Sequence, residues 1–241
     1  MLLETWSPIA GGPRGFPRKS GVAYLPKEAL RRAFLDAALA YAVRRDEGFA
    51  AEVRRLVQHG YKGDARGLAE AMLEALLERE PELDAIRPDD LPLEGVRPRR
   101  VLRLDLLTGR AEEAELELFE GVLPWSGGLP QALETWLAAA TRSYAEALAS
   151  AEAGAVVPLW PEAEGAYHEL KARVLKREPW PLRVGYWTPE GYGGTLLALA
   201  RLGVEGVLER RFRARPLPRR VCYLPKDRRT LGWLVLRKER T

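Results

Sequence analysis

The sequence predicts an α+β fold, an antiparallel sheet backed by helices. Three observations predict it: strand-like alternation near both ends of the chain, two long segments with apolar residues every 3.6 positions, and an alternating hairpin between those segments. With the intervening helical segments set aside, the order is strand, helix, hairpin, helix, strand. That is the split βαβ, or ferredoxin-like, arrangement.

Leu2 to Ser7 reads as a short strand, followed by a Gly/Pro-rich loop, GGPRGFPRKSG, from Gly11 to Gly21 and by the β-like VAYL. From Pro26 the period changes, with Leu30, Ala33, Phe34, Ala37, Ala38 and Tyr41 on one stripe. The first helix therefore spans Lys27 to Arg45, with Pro26 at its start. Two further amphipathic segments, Glu47 to Gln58 and Ala65 to Arg79, are separated by HGYKGD, and a Pro-rich acidic stretch follows from Glu80 to Pro98. Alternation on either side of Thr108-Gly109-Arg110 predicts a hairpin with Leu102, Leu104 and Leu106 opposite Leu116 and Leu118. Leu129 to Ala151 reads as the second long helix and Glu162 to Lys176 as a third. LRVGYW is strand-like and leads through TPEGYGG into the apolar TLLALARLG. RRVCYL and TLGWLVLRK supply the last strands. Residues 1–45 and 99–241 thus form the core, and 46–98 a helical insertion and linker.

The 241 residues are 46% hydrophobic and 30% charged, enough to bury a core and too charged for a bilayer. No basic segment precedes an apolar stretch at the N-terminus and no apolar run is long enough to span, so a cytoplasmic protein without a membrane partner is expected. Cys222 is alone, and His59 and His168 are the only histidines, which leaves no disulfide and too few ligands for a structural metal. Asn is absent and 31 of the 38 basic residues are Arg, a composition that suits a thermophile, although GC-rich coding also favours Arg over Lys.

The formal charge of +4 is unevenly placed. Arg210 to Thr241 sums to +10, leaving −6 on the rest, and Arg14 to Arg32 sums to +5. If the fold joins the two ends they form one surface able to neutralise phosphates and release counterions, although each run alone also fits a solvated face.

Candidate chemistry is sparse. GYGG matches neither phosphate-binding glycine fingerprint; it fits a tight turn or a close approach of backbone to phosphate. His59 and His168 read as surface or capping residues, the pairs Asp89/Asp90 and Glu112/Glu113 lack a second feature, and Asp36 reads as solvated. Trp136, Tyr144 and Phe34 fall on core stripes. Phe16, Tyr24, Tyr186, Trp187 and Tyr192 lie in or beside the glycine loops, where a ring can stack on a base.

WSPIAGG followed by AYLPKEALRRAF resembles the start of the RAMP superfamily of CRISPR-associated proteins, in which a Ser-Pro-like strand end leads to "IPGSSLKGALR". Leu25, Pro26, Lys27, Ala29, Leu30 and Arg31 stand on matching positions, with Lys27-Glu28 where Gly-Ser-Ser is usual. LRVGYWTPEGYGGTLLAL resembles "LRIGWGTGWLSKT", and LPKDRRTLGWLVL resembles "PKTRR…LGWV". The match runs over Leu182, Arg183, Gly185, Gly191, Gly193 and Thr195, then Pro225, Lys226, Arg228, Arg229, Leu231, Gly232 and Trp233. The set looks most like the Csm-type subunit that caps the guide-RNA 3′ end in type III-A complexes. The resemblance implies a ferredoxin-like, RRM-related core that binds crRNA, a single-stranded RNA, beside other subunits of a type III CRISPR complex. It implies no catalytic residue, metal or cofactor. A Cas6-like processing endoribonuclease and a purely structural assembly subunit are the alternatives. The residues expected at the RNA are Arg14, Arg18, Lys19, Lys27, Arg31, Arg183, Gly191, Tyr192, Gly193, Gly194, Lys226, Arg228 and Arg229.

Overall fold

The computed structural model describes residues 1–12, 14–106, 108–125, 127–175, 180–184, 193–214 and 220–238. The chain begins with strands β1 (Leu2–Thr5), β2 (Ile9–Ala10), β3 (Arg18–Lys19) and β4 (Val22–Leu25), then helices α1 (Lys27–Arg45), α2 (Glu47–Arg55) and α3 (Ala65–Arg79). Strands β5 (Leu91–Leu93), β6 (Arg97–Asp105), β7 (Ala111–Phe119) and β8 (Val122–Pro124) follow, then helices α4 (Glu134–Val156) and α5 (Glu164–Leu170). The C-terminal part carries β9 (Trp180–Arg183), the short helix α6 (Gly193–Leu196), β10 (Arg220–Leu224), β11 (Arg229–Thr230) and β12 (Trp233–Arg237).

The architecture is the α+β one that the sequence predicts, with antiparallel pairing throughout the strand ladders. The first and last strands share a sheet of order β8-β1-β12-β9, with Leu3 opposite Leu236. The hairpin lies in a second sheet, β11-β10-β6-β7-β2, and β3-β4-β5 forms a third. The first two sheets are continuous through the chain. Between β1 and β2 the backbone passes from one sheet to the other at Ser7-Pro8, and between β11 and β12 it does so at Leu231-Gly232. The two crossings are fastened together: Gly232 N–H donates to the Pro8 carbonyl (2.8 Å), and Trp233 N–H donates to Ser7 Oγ (3.1 Å). Gly232 takes φ 90°, a conformation open to glycine and strained for a side chain. A strand that changes sheets at a bend is the usual way to build a corner between sheets.

The hairpin register departs from the expected one. Leu102 faces Glu113 and Leu104 faces Ala111, while Leu116 and Leu118 face Arg99 and Arg97. The cause is the turn: Asp105 accepts from Thr108 N–H through its side chain (3.1 Å) and from Gly109 N–H through its carbonyl (2.8 Å), with Gly109 at φ 67°. The loop closes on Asp105 and moves every pair. One face of the curled sheet buries Val101, Leu116, Leu118, Cys222, Leu224 and Leu231 as a small separate cluster. The other face presents Leu104, Val221 and Tyr223 to Tyr144, Leu148 and Tyr167 of α4 and α5.

Helix α1 has the expected bounds, and its alanines let it pack closely on α4. Its first turn lacks a side-chain cap of its own; Asp90, one of the two loop acids, accepts the Lys27 N–H at 2.9 Å. Helix α4 starts five residues later than expected because Pro130 opens a single 3₁₀ turn, Gln131–Leu133, before it. Of the three aromatics expected in the core, Phe34 and Tyr144 are buried, whereas Trp136 is half-buried with its ring edge-on to Tyr41 at 5.3 Å.

Phe49 and Val53 of α2 and Leu68, Met72 and Leu76 of α3 belong to the same apolar cluster as Leu3, Phe34 and Leu234. Helix α2 is capped by Asp46, which accepts the Phe49 N–H at 3.0 Å and also pairs with Arg79 at the end of α3. Since Phe49 is fully buried in the shared cluster, Phe49→Ala should destabilise the whole chain by about 3–5 kcal/mol. Urea unfolding followed by tryptophan fluorescence and by far-UV circular dichroism should keep one coincident transition. A separate early transition of the variant would show that α2 and α3 fold apart from the sheets.

Candidate functional site

One end of the second sheet gathers basic residues from three distant parts of the sequence. The Gly11 to Gly21 loop is tied to β7, with Gly11 N–H donating to the Glu117 carbonyl (2.9 Å) and Phe16 N–H to the Glu117 carboxylate (2.9 Å). Arg18 adds a two-pronged contact to that carboxylate, 2.6 and 3.2 Å, which holds Glu117 below the usual carboxylate range. Phe16 is buried in the main core. The loop thus has an apolar hold that the sequence did not suggest, and its ring is not free to stack. A Cβ on Gly11 would fall 2.4 Å from Gly15 and Phe16 backbone atoms, so the loop closes on itself where only glycine fits. Arg14 and Lys19 stay exposed.

The C-terminal basic turn reaches the same end. Arg229 donates to the Trp6 carbonyl (3.2 Å) and pairs with Glu120 (3.0 Å), three residues from Glu117, with its guanidinium over the Trp6 ring. Lys226 and Arg228 are exposed, and Asp227 between them pairs with Arg99 of β6 at 2.7 Å. β6 opens with Arg97-Pro98-Arg99-Arg100, and Pro98 stands opposite Glu117 in the ladder. Arg97, Arg99 and Arg100 were not among the expected site residues. The run RPRR was their signal, hidden at the edge of an acidic stretch.

The other expected residues sit elsewhere. Around a cleft of about 690 Å³ between α1, α3 and the end of β9 lie Arg31, Arg32, Arg66 and Arg183 with Glu28, Asp36, Glu70 and Glu74. Lys27 is exposed at the start of α1. Arg31 is held by Asp84 (2.7 Å) and the Ile86 carbonyl (3.2 Å). Arg183 is buried, with its guanidinium against Glu152 (3.1 Å) and 4.6 Å from the Trp233 ring centre, so it organises the interior rather than offering a surface cation. Gly191 and Tyr192, like Tyr186 and Trp187, lie outside the described residues. Gly193 and Gly194 open α6. A Cβ on Gly194 would lie 2.6 Å from both Asp36 Oδ2 and Tyr144 Oη, which explains this glycine by close packing. The two glycine segments are therefore anchored on different elements, the first on β7 and the second on α1 and α4.

Asp36 is not solvated. It is 4% exposed, accepts from Arg32 Nε (3.0 Å) and from the Thr195 hydroxyl, and so ties α1 to α6. Arg32 spans Asp36, Thr195 Oγ1 (2.6 Å) and Glu70 of α3 (2.7 Å). Burial raises the Asp36 carboxyl to about 6, against the pull of Arg32 and Thr195. Burial likewise pushes the Cys222 thiol up to about 12, leaving it unionised at neutral pH. His59 follows α2 in the turn Leu56–Gly60, and His168 lies in α5, neither on α1. Glu112 pairs with Arg103, and among the described residues no three of His, Cys, Asp and Glu group to hold a metal ion.

The Asp36 carboxyl titrates near 3.8 in an unfolded chain and near 6 when folded. The folded state holds the proton more tightly, so its contribution to stability is full below about pH 4 and is lost as pH rises through 6. Asp36→Asn removes this titration. The stability of the natural chain minus that of the variant, measured by urea unfolding, should fall by up to about 3 kcal/mol from pH 4 to pH 7. A difference constant over that range would contradict the burial argument.

No family model matches the chain. An uncharacterized protein of Aquifex aeolicus (strain VF5) is 28% identical over 245 residues, covering 99% of this chain and all of that one. Two solved structures are similar in fold. One is a chain of a Csm–crRNA–target RNA ternary complex of a type III-A CRISPR-Cas system, with TM-score 0.57, 18% identity and coverage of 92% of this chain and 74% of that one. The other is Csm5 of T. onnurineus, with TM-score 0.56, 17% identity and coverage of 92% and 73%. Over nine tenths of its length the chain thus has the fold of Csm-type CRISPR proteins.

Proposed function

We propose that this chain is a non-catalytic RAMP subunit of a cytoplasmic type III CRISPR effector complex in a thermophile, and that it binds crRNA near the 3′ end. The observation that carries this reading is the meeting of Arg14, Arg18 and Lys19, Arg97 to Arg100, and Lys226 to Arg229 at one end of a sheet. These three segments are far apart in sequence, and they meet within a fold shared with Csm-type proteins. Arg18 and Arg229 are occupied in holding their segments to Glu117 and Glu120. Among the described residues, Arg14, Lys19, Arg97, Arg100, Lys226 and Arg228 are the exposed cations of these segments that remain for phosphates. The resemblance of the Ser-Pro strand end and the LGW segment to RAMP motifs gains support from their meeting in the fold, where Ser7 and Trp233 share a hydrogen bond.

Single-stranded RNA should bind with an affinity that falls steeply with salt. The double charge reversal Arg14→Glu/Arg228→Glu should weaken binding at least tenfold and flatten the slope of log K against log[salt] by roughly 0.7 per phosphate that is no longer neutralised. Arg55→Glu/Lys62→Glu, two exposed cations of the helical segment, should change binding less than threefold. Fluorescence anisotropy between low and moderate salt measures both. Equal losses from the two double variants would place the RNA elsewhere. Cleavage of repeat RNA that either His59→Ala or His168→Ala abolishes would favour a processing endoribonuclease instead.

A further inference from the structure

Beside the basic strip, β6 outruns its neighbour. β10 pairs with β6 only from Leu102 to Asp105, so Arg97 to Val101 has β7 on one side and is not laddered to β10 on the other. The turn between β10 and β11 passes this open stretch and is fixed against it by the Arg99–Asp227 pair. Between strand and turn lies a groove of about 490 Å³. Leu102 and Pro225 give it an accessible apolar lining, with Val101 and Leu224 buried behind them, and Arg99, Arg100, Lys226 and Glu113 supply its charges.

We infer that this groove receives one nucleotide of a single-stranded RNA, its base on the apolar lining and its phosphate between Arg100 and Lys226; the inference rests on the proposed function and assigns a site within it. The volume lies in the range of small-ligand sites, and a mixed lining of this kind matches a nucleotide, which has a flat apolar face and an anionic edge. Arg100 and Lys226 are exposed and have no ion-pair partner among the described residues, whereas Arg99 is engaged by Asp227. Counting the flanks, the cations Arg97, Arg99, Arg100, Lys226 and Arg228 outnumber the acids Glu113, Asp227 and Glu115, the last opposite Arg100 in the ladder, so an anion is favoured. The other natural occupant of an open strand edge is an added peptide strand. Pro98 opposes it, because a proline within that edge removes a backbone donor that such a ladder would use, and flanking arginines discourage strand pairing further.

The test uses the full chain and a fluorescein-labelled oligouridylate carrying 4-thiouridine. Arg100→Glu/Lys226→Glu should weaken binding at least tenfold and lower the salt slope by about 0.7, with an unchanged urea midpoint because both side chains are exposed and unpaired. Cross-links of the natural chain should map to 97–102 or 223–228. If the natural chain binds RNA and the variant binds equally, with cross-links elsewhere, the groove assignment falls while the proposed function stands. If the natural chain binds no RNA, both fall together. If RNA binding is unchanged and the variant instead loses association with a neighbouring subunit, the groove is a protein-docking edge and the inference is overturned.

Discussion

The relation of the two larger sheets depends on the corner where their strands cross. Gly232 donates to Pro8 and Trp233 donates to Ser7, so two strands that change sheets do so at the same point. Trp6 and Ser7 N–H both donate to the Trp233 carbonyl at the same place, and Trp233 packs in one cluster with Leu104, Val221 and Tyr223 of the second sheet, so the corner is held from both sides. The curl of the second sheet brings β2 beside β7 and lets Arg229 of β11 reach Trp6 and Glu120 across the sheet. The contacts of Arg229 with Trp6 and Glu120 lie beside this bend. Gly232 permits it through its φ, and Trp233, fully buried, seals it.

Two buried ionic contacts fix how the helices sit, one against a sheet and one against another helix. Arg183 of β9 pairs with Glu152 of α4 beneath Trp233, with the Tyr167 hydroxyl as a further donor to Glu152 at 3.3 Å. Asp36 of α1 joins Thr195 and Arg32. Burial raises both carboxyls, so neither contact is a large net source of stability. Their value is directional. An apolar pair in either place would tolerate sliding, whereas a carboxylate with two or three donors accepts one arrangement, and removing one partner strands the other charge in the interior. Gly194, with no room for a Cβ beside Asp36 and Tyr144, belongs to the same fit.

The distribution of arginine partners separates scaffold from surface. Arg18, Arg31, Arg32, Arg183 and Arg229 are engaged by carboxylates, several through more than one nitrogen, as suits a planar fork of donors. Arg14, Arg100, Lys226 and Arg228 are exposed without such partners among the described residues. Local charge sums cannot make this distinction, since they count both kinds alike. A net of +10 over the last 32 residues therefore overstated what that segment offers to a phosphate backbone.

Periodicity alone determined α1 and α3 to the residue, because an apolar stripe recurring every 3.6 positions and ended by charged or Gly-rich sequence leaves one local solution. Alternation also determined the α+β class and the existence of the hairpin, and local charge sums the basic character of both ends. The hairpin register was not legible, since it turns on which side chain closes the loop, and Asp105 does so through two bonds that alternation does not encode. Nor was the environment of Asp36: one acid on a helix reads as solvated until a residue 159 positions away covers it. Of the basic end, the sequence showed the tail and the glycine loop but missed Arg97 to Arg100, whose place depends on β6 extending past β10. Composition and local pattern fix which elements form, because those depend on neighbours in the chain. Which charges meet, and which remain for a ligand, depends on contacts between residues far apart in sequence, and only the tertiary structure decides those.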